Sequence, residues 1–378
     1  MVINLKESAT DSKTANEQQF SGKIAVVTSP LSVSEDDFHS AEHLAAKYGK
    51  EKIIHVTWPA NLVTDRGQMM DIVANLAIDR EIKIIIFNQT YVGTNVAVDR
   101  LRETRDDMFI VYCVAHETTD EAVKRANLIL AVDDVGMGTA MVKQARKQGA
   151  KIFVHYSFPR HMSIPRLKNR RDIIQKECSK ESIQFVDVTV PDPVEGSGFS
   201  GATQFVFAQQ FITNDVKKLV AQYGDETAFF CSNCSLQAVL IKAVVESHTI
   251  YPQPCCPSPF HGFPEALGIE TSGGQVDLNH VISEASRIAA EKNMTDRLST
   301  WPVSAHTMFT NAGVEYAIKW INGEVPKDRI NDSVLEDCMN AYIREVVGEG
   351  VEVTMEPYKE NGSTWDNYKM MLMSYLDF

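Results

Sequence analysis

From Gly22 onward, short runs rich in Val, Ile and Leu alternate with longer segments of helical period. This confines the chain to an α/β fold of β–α units wound about parallel sheets. The first series predicts strands at Lys23–Thr28, Lys52–Thr57, Lys83–Phe87, Phe109–Val114 and Asn127–Val132. Helices at Asp36–Tyr48, Gln68–Asp79 and Asn95–Arg105 fall between them, the first stopped by Gly49. The strands are almost unbroken apolar runs, as expected of a sheet covered on both faces. A second series follows Asp133–Gly138. Its strands are expected at Lys151–His155, Gln184–Val188 and Thr227–Cys231, and its helices at Thr139–Gln148, Arg170–Lys180, Phe211–Tyr223 and Leu236–Ser247. Beyond it the pattern predicts a proline-crowded strand near Gln253–Pro257, a helix at Leu278–Glu291, a strand at Arg297–Trp301 and a helix at Ala312–Asn322. Pro191–Ala202 reads as an exposed glycine–proline loop.

The 378 residues suit two or three domains. A formal charge of −13 argues against a general binder of nucleic acid or anionic membrane, which needs a basic face. The seven cysteines are odd in number and scattered, unlike a secreted disulfide framework, so reduced thiols in the cytoplasm are expected. Met1 to Phe20 is polar, with no apolar signal core and no lipid-anchor cysteine, and residues 1–21 read as a disordered tail. No run of about 18 apolar residues is available for a membrane span. The last 55 residues hold 5 basic and 12 acidic residues, yet end in Tyr368, Met370–Met373, Tyr375, Leu376 and Phe378. Such an apolar ending is expected to pack back on a domain.

Phosphate-binding fingerprints are missing. The turn after the first strand, Thr28–Ser34, has no glycine, which disfavours a dinucleotide-binding unit, and no P-loop motif occurs. Gly136 and Gly138 open a helix without the rest of a phosphate cradle, so a tight interdomain turn is the simpler reading. Cys231 and Cys234, with Cys255 and Cys256, offer four thiols. The second pair is adjacent rather than spaced, so small core residues are expected ahead of a metal or redox site. No nucleophile–base or metalloprotease signature emerges, and no catalytic centre, metal site or cofactor is assigned.

Open α/β sheets bind ligands beyond the carboxyl ends of their strands. Those ends present Ser29 and Ser32, then Trp58, Asn88 and Gln89, His116, and Asp133. In the second series they present Tyr156 and Arg160, Asn233, and Ser258. Short polar groups mixed with rings suit a small hydroxylated or carboxylated molecule. The competing explanation is that Ser, Asn and Asp at these places only cap helices. Arg160 belongs to a basic run with Arg166, Lys168, Arg170 and Arg171, which reads either as an anion attractor or as a solvated helix face.

Three stretches carry a family resemblance: KIAVVTSPLSVSEDDFHSAEHLAAKYG, NLILAVDDVGMGTAMVKQARKQGAKIFVH and FFCSNCSLQAVLIKAV, with RLSTWPVSAHTMFTNAGVEYAIKWINGE as a fourth. Together they resemble the type I periplasmic-binding-protein-like superfamily, which includes sugar receptors of ABC transporters and lactose-repressor-type effector domains. The whole is also similar to an uncharacterised bacterial family within that fold, labelled lipoprotein or candidate transcriptional regulator. Asn233 matches a family asparagine, while Cys234 stands where the family has aspartate. The resemblance implies two doubly wound parallel-sheet lobes with an interlobe cleft and multiple crossovers. Lobe 1 is expected over 22–135 plus 275–326 and lobe 2 over 136–274, with 327–378 packing back on lobe 2. It also implies hinge closure around a small polar ligand such as a sugar, nucleoside or organic acid.

The expected function is non-catalytic small-molecule binding, as a solute receptor or ligand sensor linked to transport or transcriptional regulation. A cytosolic α/β enzyme and an acidic-tail interaction protein are the alternatives. Direct nucleic-acid contact and membrane insertion are not expected; a protein partner or homo-oligomer is compatible.

Overall fold

The computed structural model describes residues 20–60, 65–194, 201–271, 278–360 and 362–378. The expected tail over 1–21 therefore lies almost wholly outside the described residues, as does half of the expected 191–202 loop. Lobe 1 is built on strands β1 (Lys23–Thr28), β2 (Ile53–Thr57), β3 (Ile82–Phe87), β4 (Phe109–Cys113) and β5 (Leu128–Val132), joined through α1 (Glu35–Tyr48), α2 (Arg66–Ile78), α3 (Thr94–Arg102) and the short α4 (Thr119–Ala122). Their order is β2-β1-β3-β4-β5, all parallel, with the direction of winding reversing at β1.

Strand alternation sends Ile24, Val26, Ile84 and Ile86 to one face and Ala25, Val27, Ile85 and Phe87 to the other. Both sets are buried, so helices must cover both faces. The caps are local. Ser34 accepts from the Asp37 backbone amide to start α1, and Gly49, at φ +96°, ends it.

The chain then leaves for lobe 2 through α5 (Asp134–Lys147). There β6 (Ile152–Ser157), β7 (Gln184–Thr189) and β8 (Thr227–Cys231) form a parallel sheet in the order β7-β6-β8. The connecting helices are α6 (Pro159–Met162), α7 (Pro165–Lys180) and α8 (Gly201–Tyr223). After α9 (Gln237–Glu246), Ile250 bridges to Ala228 and Tyr251 to Leu298, extending the sheet by single bridges. The strand expected at Gln253–Pro257 does not form. Pro252, Pro254 and Pro257 lack the amides a ladder needs, and the segment is a loop leading to α10 (Phe263–Leu267). The strand expected at Arg297–Trp301 shrinks to β9 (Ser299–Thr300).

Two domain boundaries differ from expectation. Helix α11 (Leu278–Glu291) buries Val281, Ala285, Ile288 and Ala289 in the lobe 2 core, so the return to lobe 1 comes after β9, not at 275. It runs into α12 (Ala305–Asn322), which begins seven residues before the expected Ala312 because Ser304 caps it through the Thr307 amide. The segment expected on lobe 2 belongs mostly to lobe 1. Helix α13 (Asp332–Val347) packs on α12, while β10 (Val353–Glu360) and β11 (Ser363–Met373) enter the large sheet. There β11 runs parallel to β5 and antiparallel to β10, giving β10-β11-β5-β4-β3-β1-β2. The physical reason is that β5 would otherwise be an uncovered edge of a buried sheet. Only β12 (Leu376–Asp377) and Phe378 cross back, where β12 pairs with β9.

The terminal Phe378 is a lobe 2 core residue. Its ring meets Phe263 edge-on at 4.9 Å, its amide donates to Leu298 and its carbonyl accepts from Asp296. Phe378→Ala is expected to cost about 3–5 kcal/mol in urea unfolding, the usual loss for a buried Phe. A change below about 1 kcal/mol would mean that the third crossing contributes little.

Candidate functional site

The carboxyl ends of the two sheets face one another across a cleft of about 1710 Å³, lined from both lobes. Lobe 1 contributes the start of α1, the loops after β3 and β4, the start of α12, and rings from the C-terminal segment: Tyr342, Tyr358 and Tyr368. Lobe 2 contributes the loops after β6 and β8 and the 255–262 loop, with Phe260 as its ring. Six of the chain's ten histidines line this cleft: His39, His43, His116, His161, His261 and His306. That concentration makes imidazole the cleft's characteristic polar group.

Of the residues expected in the site, Gln89, His116, Asp133 and Ser258 line the cleft. Asp133 is engaged in capping, since its carboxylate accepts from the Gly136 amide at 2.8 Å. A Cβ at Gly136 would collide with that carboxylate at 2.1 Å, and Gly138 packs against Arg170 of α7. The glycine pair thus serves a cap and a helix–helix contact within α5, and is neither a phosphate cradle nor a separate turn.

The other expected residues lie elsewhere. Trp58 is buried, stacks on Phe87 and donates its indole N–H to the Gln89 carbonyl. Tyr156 faces the lobe 2 core and donates to Asp215, because strand alternation turns it away from the cleft. Ser29 is buried against the Tyr91 hydroxyl, whereas Ser32 is exposed outside the cleft. Arg160 is clamped by two bonds to Asp192, both 2.8 Å. Asn233 caps the turn after β8, accepting from the Ser235 amide and hydroxyl. The rest of the basic run is likewise paired, though Arg166 and Arg170 also line the cleft: Arg166 and Arg170 with Asp134, Lys168 with Asp172, Arg171 with Asp187.

Asn88 acts from behind the cleft wall. With its amide oxygen accepting from Thr310 at 2.7 Å, its nitrogen donates to both Asp37 oxygens, at 3.0 and 3.3 Å. Asp37 is buried and its carboxylate meets His306 Nδ1 at 3.1 Å. Burial opposes a charge on His306, but the Asp37 carboxylate outweighs it and holds the ring's pKa above the ordinary 6.5. His116 behaves oppositely: burial, then Arg166 and His306, pull its pKa down. It is therefore a neutral ring, held by Gln89 at 2.8 Å. The cleft thus offers two imidazoles whose pKa values are pushed in opposite directions.

Sequence spacing missed a second grouping. Cys234, Cys255, Cys256 and His261 bring three sulfurs and a ring nitrogen within 4.8 Å of one another on the lobe 2 wall. Cys231, the expected fourth member, is instead buried in the lobe 2 core. Hydrogen bonds from the Cys234 and Cys255 thiols, with the positive field of His261 and Arg170, hold Cys256 well below the usual thiol range.

A family model described as "Protein of unknown function (DUF3798)" matches residues 22–299. The chain belongs to the DUF3798 family. Two proteins of Treponema pallidum (strain Nichols), each described as uncharacterized, are similar to it. One is 31% identical over 176 residues, 45% of this chain and 80% of the relative. The other is 30% identical over 171 residues, 45% and 76%. Among solved structures, a candidate transcriptional regulator from Clostridium difficile 630 superposes with a TM-score of 0.84 at 21% identity, covering 95% of this chain and 100% of that one. A sugar ABC transporter protein from Actinomyces odontolyticus ATCC 17982 gives 0.52 at 9% identity, with 80% and 84% covered. An ABC transporter periplasmic solute binding protein from Actinobacillus succinogenes 130z with bound D-allose gives 0.50 at 14%, with 81% and 93% covered. At these identities the likeness establishes the fold: this DUF3798 chain has the type I periplasmic-binding-protein-like architecture.

The His306–Asp37 pair sets a pH dependence. A raised folded-state pKa contributes stability that is full below 6.5 and lost as pH rises through the raised value. Asp37→Asn is expected to remove that decline and to bring the His306 ring titration, followed by NMR, below 6.5. An unmoved titration would mean that Asp37 does not set it.

Proposed function

We propose that this DUF3798 chain is a binding protein that holds a small polar ligand in the interlobe cleft and closes its lobes around it without chemical turnover. The observation that carries the reading is a cleft of about 1710 Å³ shared by both lobes at their strand carboxyl ends. That volume exceeds the ~300–1,000 Å³ of a pocket enclosing a drug-sized ligand, as suits an open form that contracts on closure. Tyr342, Tyr358, Tyr368 and Phe260 offer faces to a ligand's apolar surface, while Gln89, His116 and His306 offer directional hydrogen bonds. A ring-and-amide lining of this kind suits a sugar, nucleoside or organic acid. The D-allose in the Actinobacillus protein shows one occupant that this fold accepts. Contacts from both lobes at once favour closure; a ligand touching one lobe equally in both states would shift nothing.

Seven unpaired cysteines favour a reducing compartment such as the cytoplasm as the site of action. Among the described residues no helix is long and apolar enough to cross a membrane. A role as sensor or solute receptor then depends on a protein partner that reads the closed form.

The test is a thermal-shift screen over sugars, nucleosides, amino acids and organic acids. A true ligand at a hundred times its dissociation constant is expected to add about 2.7 kcal/mol of stability. His116→Ala in lobe 1 and Arg166→Ala in lobe 2 are each expected to weaken that ligand about 10–100-fold, the cost of losing a charge-assisted or buried hydrogen bond. Loss from one lobe's variant alone would overturn the two-lobe reading, and conversion of the ligand to a product would favour an enzyme.

A further inference from the structure

We propose that Cys234, Cys255, Cys256 and His261 form a binding site for one thiophilic divalent cation, zinc in the first instance, on the lobe 2 wall of the cleft. The geometry comes first. The sulfur–sulfur separations are 3.2 Å for Cys234–Cys255, 3.8 Å for Cys234–Cys256 and 4.0 Å for Cys255–Cys256. Four ligands placed tetrahedrally about zinc, with Zn–S near ~2.3 Å, put their sulfurs ~3.8 Å apart. None of the three separations approaches the ~2.05 Å of a disulfide. Hydrophobic burial does not explain the convergence, because Cys234 and Cys256 are exposed.

The fourth ligand is prepared for the task. His261 Nδ1 lies 2.8 Å from the carbonyl oxygen of Cys256, which can only accept. Nδ1 therefore carries the proton and the lone pair lies on Nε2, the arrangement that outer hydrogen bonds impose on metal-binding histidines. Two loops deliver the set. Asn233 fixes the turn that starts with Cys234, and three prolines hold the Cys255–Cys256 segment out of the ladder. Ser258 accepts from the Phe260 amide and turns the chain toward His261. Gly262, at φ +86°, then lets the loop pass against α9, where a Cβ would meet Gln237 at 2.9 Å.

Three thiolates with a neutral imidazole leave a zinc complex at −1. The buried Arg170 guanidinium, shared with Asp134 and 3.4 Å from the Cys255 carbonyl, brings positive charge to this wall of the cleft. On binding, each thiol still protonated gives its proton to solvent, and no oxidant or reductant is involved. Three soft sulfurs exclude magnesium and calcium, which take oxygen ligands. The proposal is independent of the small-molecule reading: a chain that takes up zinc but no organic ligand keeps this site and loses that function.

The experiment uses the full chain, purified under reducing conditions, stripped with a chelator and titrated with cobalt(II) or zinc. One ion per chain is expected, with the intense visible bands and sulfur-to-metal charge transfer of tetrahedral thiolate-bound cobalt, bleached by zinc. Cys256→Ser and His261→Gln are expected to weaken binding more than about 100-fold, beyond the 10–100-fold typical of losing an outer partner. Cys338→Ala, in the other lobe, is expected to leave it unchanged. Absence of stoichiometric uptake by the unmodified chain overturns the proposal. So does a cobalt spectrum without thiolate charge transfer, or an affinity indifferent to Cys256 and His261. A Cys234–Cys255 disulfide that forms while zinc is refused would also overturn it, in favour of a redox pair.

Discussion

A buried polar knot at Ser299 holds the three passages between lobes together, and the cleft depends on it. The outbound helix α5 sends Gln144 and Gln148 to the Ser299 hydroxyl at 3.0 and 3.1 Å, and that hydroxyl donates to the Pro252 carbonyl at 2.7 Å. The final strand joins through Asp377, which accepts from Gln144 and pairs with Lys147 at 2.6 Å. Three chain segments far apart in sequence thus share one network, although the buried Gln148 amide oxygen finds no partner in it. The passages themselves run through the short segments around Asp133, Trp301 and Ser374. The strand carboxyl ends of both lobes are thereby aimed at each other.

That orientation explains why the cleft's chemistry resides in histidine. At strand carboxyl ends the short polar residues face helix N-termini with unpaired amides, and they satisfy those amides first. Asp133, Ser34, Ser304 and Asn233 all do so. Glu117, although it lines the cleft, accepts from the Gly93 and Asn95 amides at the start of α3. Longer side chains one step removed remain to face the opposite lobe, and here they are imidazoles. Asp37 and Asn88 then work as supports, setting the charge of His306 from behind.

The fold was readable in the sequence because near-continuous apolar strands and helical period are strong local signals. Helix α11 matched its expected span to the residue. What failed was long-range. The alternation in 353–373 was visible only as a sticky ending, and nothing local says that β11 must shield β5 rather than travel to lobe 2. The site was half legible for a related reason. Reading strand ends identifies the right loops, but not which side chains turn inward. Tyr156 and Trp58 sit at strand ends and point into cores, whereas Tyr358 and Tyr368 reach the cleft from a segment placed in the wrong lobe.

The cysteines show the same limit most sharply. Spacing favours Cys231 with Cys234, three residues apart, as one half of a metal site. In the fold, Cys231 is the last residue of β8 and its side chain points into the core beneath α9, while Cys234 has passed into the next turn and faces out. The partners of Cys234 come from the neighbouring segment about twenty residues on. There an adjacent pair can offer both sulfurs to one point because the prolines keep it off the ladder, where alternation would send them to opposite faces. A broken strand is thus what lets vicinal cysteines converge. The proline crowding that spoiled the strand prediction and the adjacency that argued against a metal are two aspects of one local geometry.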